Sequence, residues 1–436
     1  MNCVPFYGKM GKGADYTQRD SSAYNIDIVC EDGIMGKQLI YLDYAATTPM
    51  YDKAVEAMLP YFSEQFGNPS GQYTLAGRAK RALEDARKQI AATIGARPEE
   101  IYFTGSGTEA DNWAVKTALQ CCRGKGKHII TSKIEHHAVL HACEAMEAAG
   151  ARVTYLTPDE DGVISVETLK RAIRPDTVLV SIMAANNEIG TIEPVAELAA
   201  AAHKRGILFH TDAVQGYGKL PLSVEDGTIA MLSASAHKIG GPKGVGFLYV
   251  RRDVRLPSFI HGGAQEKRRR AGTENVPGIV GFAKAAELTF ARREETEKRE
   301  KKLRDYFIGR VLSEIPYVRL TGSAQDRLPG HASFCFQFIE GETVLIMLDT
   351  DGICASSGSA CTTGQTEPSH VLTAIGLPED VAHGAVRFTM GRGTTKEQLD
   401  FTVERMKEII GRVRAMSPYY AGFAAKEGSR SDGGNR

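Results

Sequence analysis

Short apolar runs alternate with amphipathic stretches along most of the chain. The clearest helix is predicted over residues 73–94, where apolar residues recur every three or four positions. These positions are Leu75, Ala79, Leu83, Ala86, Ile90 and Ile94. Gly95 follows them as a C-terminal stop signal. From Asn275 to Glu314 the pattern is again helical and becomes increasingly charged, which is typical of a solvated connector between domains.

Runs rich in β-branched and other apolar residues predict strands between the helical stretches. They lie at 100–104, 127–131, 152–156, 177–183, 207–211 and 246–250. Because helical stretches separate most of these runs, we expect a largely parallel sheet covered by helices. Later in the chain, the segment ASFCFQF at 332–338 alternates small or polar residues with phenylalanine. This alternation predicts a half-buried strand that opens a second, α+β domain.

The composition is that of a soluble globular protein. The chain has 436 residues, enough for two or three domains, and 42% of its residues are apolar. Lys plus Arg equals Asp plus Glu at 53 each, so no global field attracts nucleic acid or an anionic membrane. No apolar run is long enough to cross a bilayer, and the first forty residues lack the pattern of a secretory signal or transit peptide. We therefore expect a cytoplasmic protein.

The cysteine pattern argues against a metal site. Eight cysteines without a C-x-x-C pair are best interpreted as reduced thiols. His136 and His137 are adjacent, and adjacent side chains on a helix point in different directions. We assign no metal.

A glycine-rich turn follows the first predicted strand of the sheet. The strand EIYFT runs into GSGTEADNWAVKTAL, in which Gly105 and Gly107 permit close approach of the backbone and Thr108 adds a hydroxyl at the start of a helix. Amide groups at such a helix N-terminus suit a phosphate. The alternative is a tight turn with a threonine cap. The pattern is neither a dinucleotide fingerprint nor a Walker A loop.

Two further residues suggest chemistry at the ends of strands. Asp212 ends the run ILFHTD, at the edge where α/β sheets bind ligands, with Gln215 one turn later. Lys238 lies among small residues in SASAHKIGGPKG, which makes it a candidate for a depressed pKa and for Schiff-base chemistry. Taken singly, Asp212 is equally consistent with a helix cap, and most lysines are solvated surface groups.

A phosphate anchor, a carboxylate and an enclosed lysine are together what a pyridoxal phosphate enzyme needs. The chain resembles the fold type I pyridoxal phosphate enzymes, and within them the cysteine desulfurases of the nitrogen-fixation and iron-sulfur-cluster type, from about Ile40 to about Tyr420. The motifs that carry the resemblance are YLDYAATTP (41–49), FGNPSG (66–71), EHHAVL (135–140), NNEIG (186–190), TDAVQ (211–215), HKIGGPKG (237–244), AGTEN (271–275), SSGSACTTG (356–364), EPSHVL (367–372) and VRFTMGR (386–392).

The resemblance implies a role for each residue of the site. Lys238 would be the Schiff-base lysine, Asp212 the partner of the pyridine nitrogen, Gln215 the partner of the ring oxygen, and His136 the residue stacked on the ring. The phosphate would be held by Gly107, Thr108, Ser235 and His237, together with Thr273 from the neighbouring subunit of a homodimer. Arg387, with Asn187 beside it, would bind the substrate carboxylate as a bidentate fork.

By the same resemblance Cys361 is the nucleophile that takes sulfur from L-cysteine. The small residues around it are expected to let its loop collect sulfur at the cofactor and deliver it elsewhere. His136 would accept the thiol proton. The products would be L-alanine and a persulfide that passes to an acceptor or scaffold protein for iron-sulfur cluster assembly or for thiolation of tRNA or cofactors. Cys354, in an apolar stretch, is interpreted as a packing residue, as is Trp113.

The expected fold is α/β, with a large, mostly parallel seven-stranded sheet domain and a smaller α+β C-terminal domain. We divide the chain into an N-terminal extension (1–39), the large cofactor-binding domain (40–275), the small domain with the cysteine loop (276–420) and a polar tail (421–436). Three other functions stay open: a selenocysteine lyase, a fold type I aminotransferase and a non-catalytic paralogue that binds partners. The pattern of Lys238, Asp212, Arg387 and Cys361 favours the desulfurase over the last two.

Overall fold

The computed structural model describes residues 39–122, 124, 126–357, 368–418 and 420–422. Its strands are β1 (Ile40–Tyr41), β2 (Ile101–Thr104), β3 (His128–Ser132), β4 (Arg152–Leu156), β5 (Thr177–Ser181), β6 (Leu208–Asp212), β7 (Met231–Ser235), β8 (Gly246–Val250), β9 (Val318–Leu320), β10 (His331–Phe336), β11 (Ile353–Cys354) and β12 (Ala385–Thr389). Its helices are α1 (Asp52–Met58), α2 (Pro60–Ser63), α3 (Thr74–Ala92), α4 (Gly107–Cys121), α5 (His137–Ala148), α6 (Val166–Ala172), α7 (Val195–His203), α8 (Gln265–Arg268), α9 (Val276–Ala291), α10 (Arg293–Glu314), α11 (Gly341–Thr350), α12 (His370–Ala374), α13 (Glu379–Ala382) and α14 (Lys396–Ala415).

The first part of the chain forms a large, mostly parallel sheet. Within the described residues it has seven strands in the order β2-β8-β7-β6-β5-β3-β4. Strand β8 runs antiparallel to both of its neighbours, whereas β7, β6, β5, β3 and β4 pair in parallel. A smaller antiparallel sheet, in the order β12-β10-β9, lies in the C-terminal part. The predicted α/β fold is confirmed.

The apolar runs located six of the seven strands of the large sheet, each within two residues of its observed ends. The sequence analysis missed β7, whose residues Met-Leu-Ser-Ala-Ser include no β-branched or aromatic side chain. All five residues of β7 are nevertheless buried, because helices cover both faces of the sheet. The omission matters for the site, because β7 leads directly into the short 3₁₀ helix Ala236–Lys238.

The helices bury the apolar faces that their sequences predict. Helix α3 buries Leu83, Ala86 and Ile90 against one face of the large sheet, and Gly95 beyond its end has the left-handed φ of 70° that suits a helix stop. On the other face, Trp113 of α4 is fully buried and its Nε1 donates to the carbonyl of Pro257 over 3.0 Å. Its predicted core position is confirmed. None of the helices in the described part of the chain combines the length and the apolar character that a membrane span requires.

The charged helical segment divides into two helices with different packing partners. Helix α9 packs Ile279 and Phe282 into the core of the large sheet, whereas α10 buries Phe307 and Val311 in the core of the small sheet. Strand β1 pairs in parallel with β11, and Ile40 also belongs to the core of the small sheet. The domain boundaries given above stay a prediction, and the change of core lies between α9 and α10.

Candidate active site

The glycine-rich turn contacts the ends of two central strands. Gly107, the first residue of α4, is buried, and a Cβ atom added there would lie 2.5 Å from Cγ2 of Val214 and 3.5 Å from Cβ of Ser235. Only glycine therefore lets the helix start so close to the ends of β6 and β7. Thr108, in the first turn of α4, is exposed. The fold thus brings the predicted phosphate turn next to Ser235.

Asp212 ends β6 as a buried carboxyl group. Its side-chain Oδ1 accepts a hydrogen bond from the backbone N–H of Val214 over 2.9 Å. Burial raises the pKa of Asp212 to about 6, although the Val214 N–H and the positive charge of Lys238 act in the opposite direction. A carboxyl group in this position is stabilised in its ionised form by a cation, and a protonated ring nitrogen would supply one.

Lys238 and Gln215 meet at one backbone carbonyl. The Lys238 ammonium donates to the carbonyl oxygens of Ala45 and Ala46 over 2.6 and 2.9 Å, and Gln215 Nε2 donates to the Ala45 oxygen over 2.9 Å. Asp212 ends β6 only three residues before Gln215, so the three predicted residues Lys238, Gln215 and Asp212 lie in one site.

Residues 43–48 form a loop that contacts the polar groups of this site, and we call it the 43–48 loop. His237 Nδ1 hydrogen-bonds Thr47 Oγ1 at 3.2 Å, and the Thr48 hydroxyl donates to the His237 carbonyl over 2.7 Å. Burial and the nearby charge of Lys238 lower the pKa of His237 to about 4, so its ring is neutral near pH 7. The segment YLDYAATTP was among the quoted motifs, but the sequence analysis gave it no role.

His136 is a neutral imidazole with one nitrogen already engaged. It caps α5, and its Nδ1 accepts a hydrogen bond from the backbone N–H of Ala138 over 3.1 Å. Burial, followed by the charge of Lys238, lowers the pKa of His136 to about 4. The ring therefore carries its proton on Nε2. Its predicted role as acceptor of the thiol proton requires this hydrogen bond to break, and that role stays a prediction.

Arg387 lies on β12 with 3% of its surface exposed. Its Nη1 donates to the Asn187 carbonyl oxygen over 2.8 Å, and its Nη2 donates to Asp43 Oδ1 over 2.8 Å. The third nitrogen, Nε, is buried and has no hydrogen-bond partner among the described residues. The fold thus places Arg387 beside the backbone of Asn187 and also beside Asp43, which the sequence analysis did not identify; the substrate-binding role of Arg387 and Asn187 stays a prediction.

Cys361 lies outside the described residues, and so does the segment 358–367 around it. The chain on either side of this segment is held beside the site. Ser356 exchanges two backbone hydrogen bonds with Arg387, of 3.2 and 2.7 Å. On the other side, the Ser369 hydroxyl donates to the Glu188 carboxylate, and His370 Nε2 hydrogen-bonds the Glu135 carbonyl oxygen at 3.0 Å, one residue before His136.

Glu109 and Arg270 form a further contact at the phosphate turn. Glu109 accepts from Arg270 over 2.8 and 3.1 Å, and its Oε2 also accepts from the backbone N–H of Gly105 over 2.8 Å. Thr273, three residues after Arg270, is exposed. The sequence analysis missed Glu109 and Arg270, because no local pattern reveals a pair separated by 161 residues.

The residues present fit pyridoxal phosphate. The Gly107 turn offers backbone amide groups to an anion, and its backbone approach would be blocked by any Cβ atom. The buried Asp212 and the ammonium of Lys238 have the chemistry to hold a ring nitrogen and an aldehyde. Groups of three or more His, Cys, Asp or Glu side chains arranged to hold a metal ion do not occur in the described ranges.

Comparison with known proteins identifies the family. The model of the aminotransferase class-V family matches residues 40–401. A cysteine desulfurase IscS of Dictyoglomus turgidum is 49% identical over 88% of this chain and 97% of its own length, and one of Methanosarcina thermophila is 51% identical over 87% and 94%. A solved NifS-like protein is 37% identical, with a TM-score of 0.81 over 86% of this chain and all of its own. The chain therefore belongs to the aminotransferase class-V family and, within it, to the pyridoxal phosphate-dependent cysteine desulfurases.

Proposed function

We propose that the protein removes sulfur from L-cysteine, giving L-alanine and a persulfide on Cys361. The observation that carries this proposal is the convergence of Lys238, Asp212 and Arg387 beside the described residues that flank the segment bearing Cys361. The reaction balances without an external oxidant or reductant. The carbon–sulfur bond of cysteine breaks, a sulfur–sulfur bond to Cys361 forms, and the thiol proton of Cys361 replaces sulfur on the carbon skeleton.

Bound pyridoxal phosphate supplies an electron sink for the bond-breaking steps at the substrate. Asp212 would keep the ring nitrogen protonated, which would maintain this capacity. Gly107, Thr108, Ser235 and His237 would hold the phosphate, and Gln215 would donate to the ring oxygen. His136, neutral at pH 7, would pack on the ring without adding a charge.

Lys238 would hold the cofactor aldehyde and, when its amine is free, would move protons. The free amine would accept the proton from the substrate Cα and return one to the carbon skeleton. The carbonyl oxygens of Ala45 and Ala46 suit this role, because they bind the ammonium form of Lys238 within the site. The proton can therefore stay on Lys238 between the two transfers.

Arg387 and Asn187 orient the substrate through its carboxylate. A guanidinium has five N–H groups, and Arg387 uses two of them in the contacts described above. The orphaned Nε is among those left for a ligand. A buried ion pair of this kind fixes the substrate Cα relative to Lys238.

Cys361 is close enough along the chain to reach this substrate. It follows Ser356 by five residues, and a chain of that length spans at most roughly 17 Å. Ser356 is bonded to the backbone of Arg387, so the substrate pocket lies within this radius. A thiol has an ordinary pKa of about 8.5, and the thiolate is the species that attacks sulfur. The persulfide then passes to a sulfur acceptor or iron-sulfur scaffold protein in the cytoplasm.

The catalytic unit of this proposal is a homodimer, to which each subunit contributes Thr273 for the phosphate of the other. Exposed apolar side chains between α1 and the start of α3 support it: Val55, Leu59, Phe62, Phe66 and Tyr73 are each at least 40% exposed. Such a patch is typical of a surface that a partner covers.

Sedimentation velocity is expected to give twice the chain mass of 47.3 kDa. Phe62→Asp, which places a charge in the patch, should shift the protein towards monomer and weaken cofactor retention, because the phosphate would lose Thr273 of the partner. Leu312→Asp serves as a control, since Leu312 is an exposed apolar residue of α10 outside the patch. A wild-type protein that sediments as a monomer would contradict the dimer.

Product analysis tests the function directly. The holoenzyme, given L-cysteine and a thiol reductant, should release L-alanine and sulfide in equal amounts, and it should not transfer an amino group to a keto acid. Turnover restricted to L-selenocysteine would identify a selenocysteine lyase instead. The absence of alanine from both substrates would reject the proposal.

A further inference from the structure

Asp43 forms an ion pair with Arg387, the residue that binds the substrate carboxylate in the proposed function. Its carboxylate lies 2.8 Å from Arg387 Nη2, with 4% of the arginine side chain and 18% of the aspartate side chain exposed. A second carboxylate that approaches Arg387 thus meets a guanidinium whose charge is already balanced. In a largely buried pocket, two carboxylates close to one cation repel each other more strongly than they would in water.

We propose that Asp43 is a resident competitor for the substrate carboxylate and a determinant of substrate charge. This inference rests on the proposed function, since it gives Arg387 the substrate. While Asp43 holds Arg387, an amino acid with one carboxylate binds only moderately, because it must share or displace this contact. An amino acid with a second negative charge is disfavoured further. Asp43 thus selects neutral side chains such as that of cysteine and eases release of the product carboxylate.

The backbone keeps Asp43 beside Arg387. The Asp43 carbonyl accepts from the Tyr41 hydroxyl over 3.0 Å, and Asp43 forms a parallel bridge with Thr389, two residues beyond Arg387. The backbone N–H of Ala45 donates to Thr389 Oγ1 over 2.9 Å. Because the chain on both sides of Asp43 is tied to β12, displacement of its carboxylate is restricted to rotation of the side chain. The backbone of Asp43 therefore stays beside Arg387 even when its carboxylate is displaced.

A purely orienting role for Asp43 predicts the opposite result. If Asp43 only held the guanidinium in place, its removal would leave Arg387 less well positioned, and carboxylates would bind more weakly. A competitor, in contrast, weakens binding while it is present. The sign of the change in affinity therefore separates the two roles.

The test compares wild-type holoenzyme with Asp43→Asn. L-alanine and L-aspartate are titrated separately, and binding is followed by the absorbance change of the bound cofactor. We expect the Kd for L-alanine to fall about tenfold in the variant, the factor that corresponds to release of one charge-assisted hydrogen bond. The Kd for L-aspartate should fall by a larger factor, because it carries the additional charge. A Kd for L-alanine that rises or stays the same overturns the proposal, as does an equal gain for both ligands.

Asp351→Asn is the matched control. It removes an aspartate whose carboxylate lies 2.8 Å from Arg405, at similar exposure and outside the described contacts of the site. It should leave both Kd values unchanged, and thermal unfolding should show that both variants are folded. Wild-type turnover of L-cysteine is measured in parallel. If the wild type makes no alanine from cysteine, the proposed function fails whatever Asp43→Asn does, whereas normal turnover with unchanged Kd values removes only the role of Asp43.

Discussion

Lys238→Ala is expected to abolish alanine formation from L-cysteine, with a loss of at least about 10³-fold in kcat. The amine of Lys238 is assigned both the covalent hold on the cofactor and the two proton transfers at the substrate. Alanine replaces neither function, and a bound water does not reproduce the position that the Ala45 and Ala46 carbonyls give the amine. The measurement is alanine release together with the absorbance spectrum of the purified variant, which should lack the band of lysine-bound cofactor.

A matched lysine tests whether the effect belongs to this position. Lys243, five residues later in the same glycine-rich segment, is exposed, so Lys243→Ala should keep both the absorbance band and turnover within about twofold. Thermal unfolding of the two variants would separate a loss of chemistry from a loss of folding. Retention of more than a tenth of wild-type kcat in Lys238→Ala would reject the assignment of Lys238.

The strands of the large sheet were predictable where their residue types have a strong preference for β-structure. The runs at 152–156 and 246–250 became β4 and β8 with the same bounds, because Val, Tyr, Phe and Leu favour a pleated, buried surface. Strand β7 was not predictable in this way, since Ser233, Ala234 and Ser235 have no strong strand preference. Its neighbours β6 and β8 impose the strand through long-range pairing, which no local window contains.

The same distinction holds for the site. Gly107, Asp212 and Lys238 stand at strand ends or helix starts, where local sequence marks a turn, and the resemblance gave them roles. Asp43 and Arg387 are 344 residues apart, and the local sequence around either residue does not predict that they pair. The 43–48 loop holds Lys238 through the backbone carbonyls of Ala45 and Ala46, and a carbonyl is the same for every residue type. Groups that act through the backbone or pair with a residue far along the chain were therefore beyond sequence reasoning.

Cys361→Ser is expected to separate binding from sulfur transfer. The variant should still bind L-cysteine and change the cofactor absorbance, because Lys238, Asp212 and Arg387 are intact, but steady-state alanine release should fall at least about 100-fold. A hydroxyl is a far weaker nucleophile towards sulfur than a thiolate. Rapid mixing with L-cysteine, followed by absorbance and quenched alanine analysis, measures both steps.

Cys354→Ser is the control that shows whether a loss of turnover is specific to Cys361. Cys354 lies in β11, seven residues before Cys361, where it is half-buried and burial raises the pKa of its thiol. It pairs with Tyr41 of β1, which fits its predicted packing role, so its replacement should leave turnover near that of the wild type. Cys354 precedes Ser356 by two residues, and Cys361 follows it by five, so position along the chain alone does not select the nucleophile. If Cys354→Ser loses turnover while Cys361→Ser keeps it, the nucleophile that carries the sulfur is Cys354, and the assignment of Cys361 is wrong. If both variants keep it, sulfur leaves the substrate without any attack by the chain, and the persulfide has no place in the mechanism.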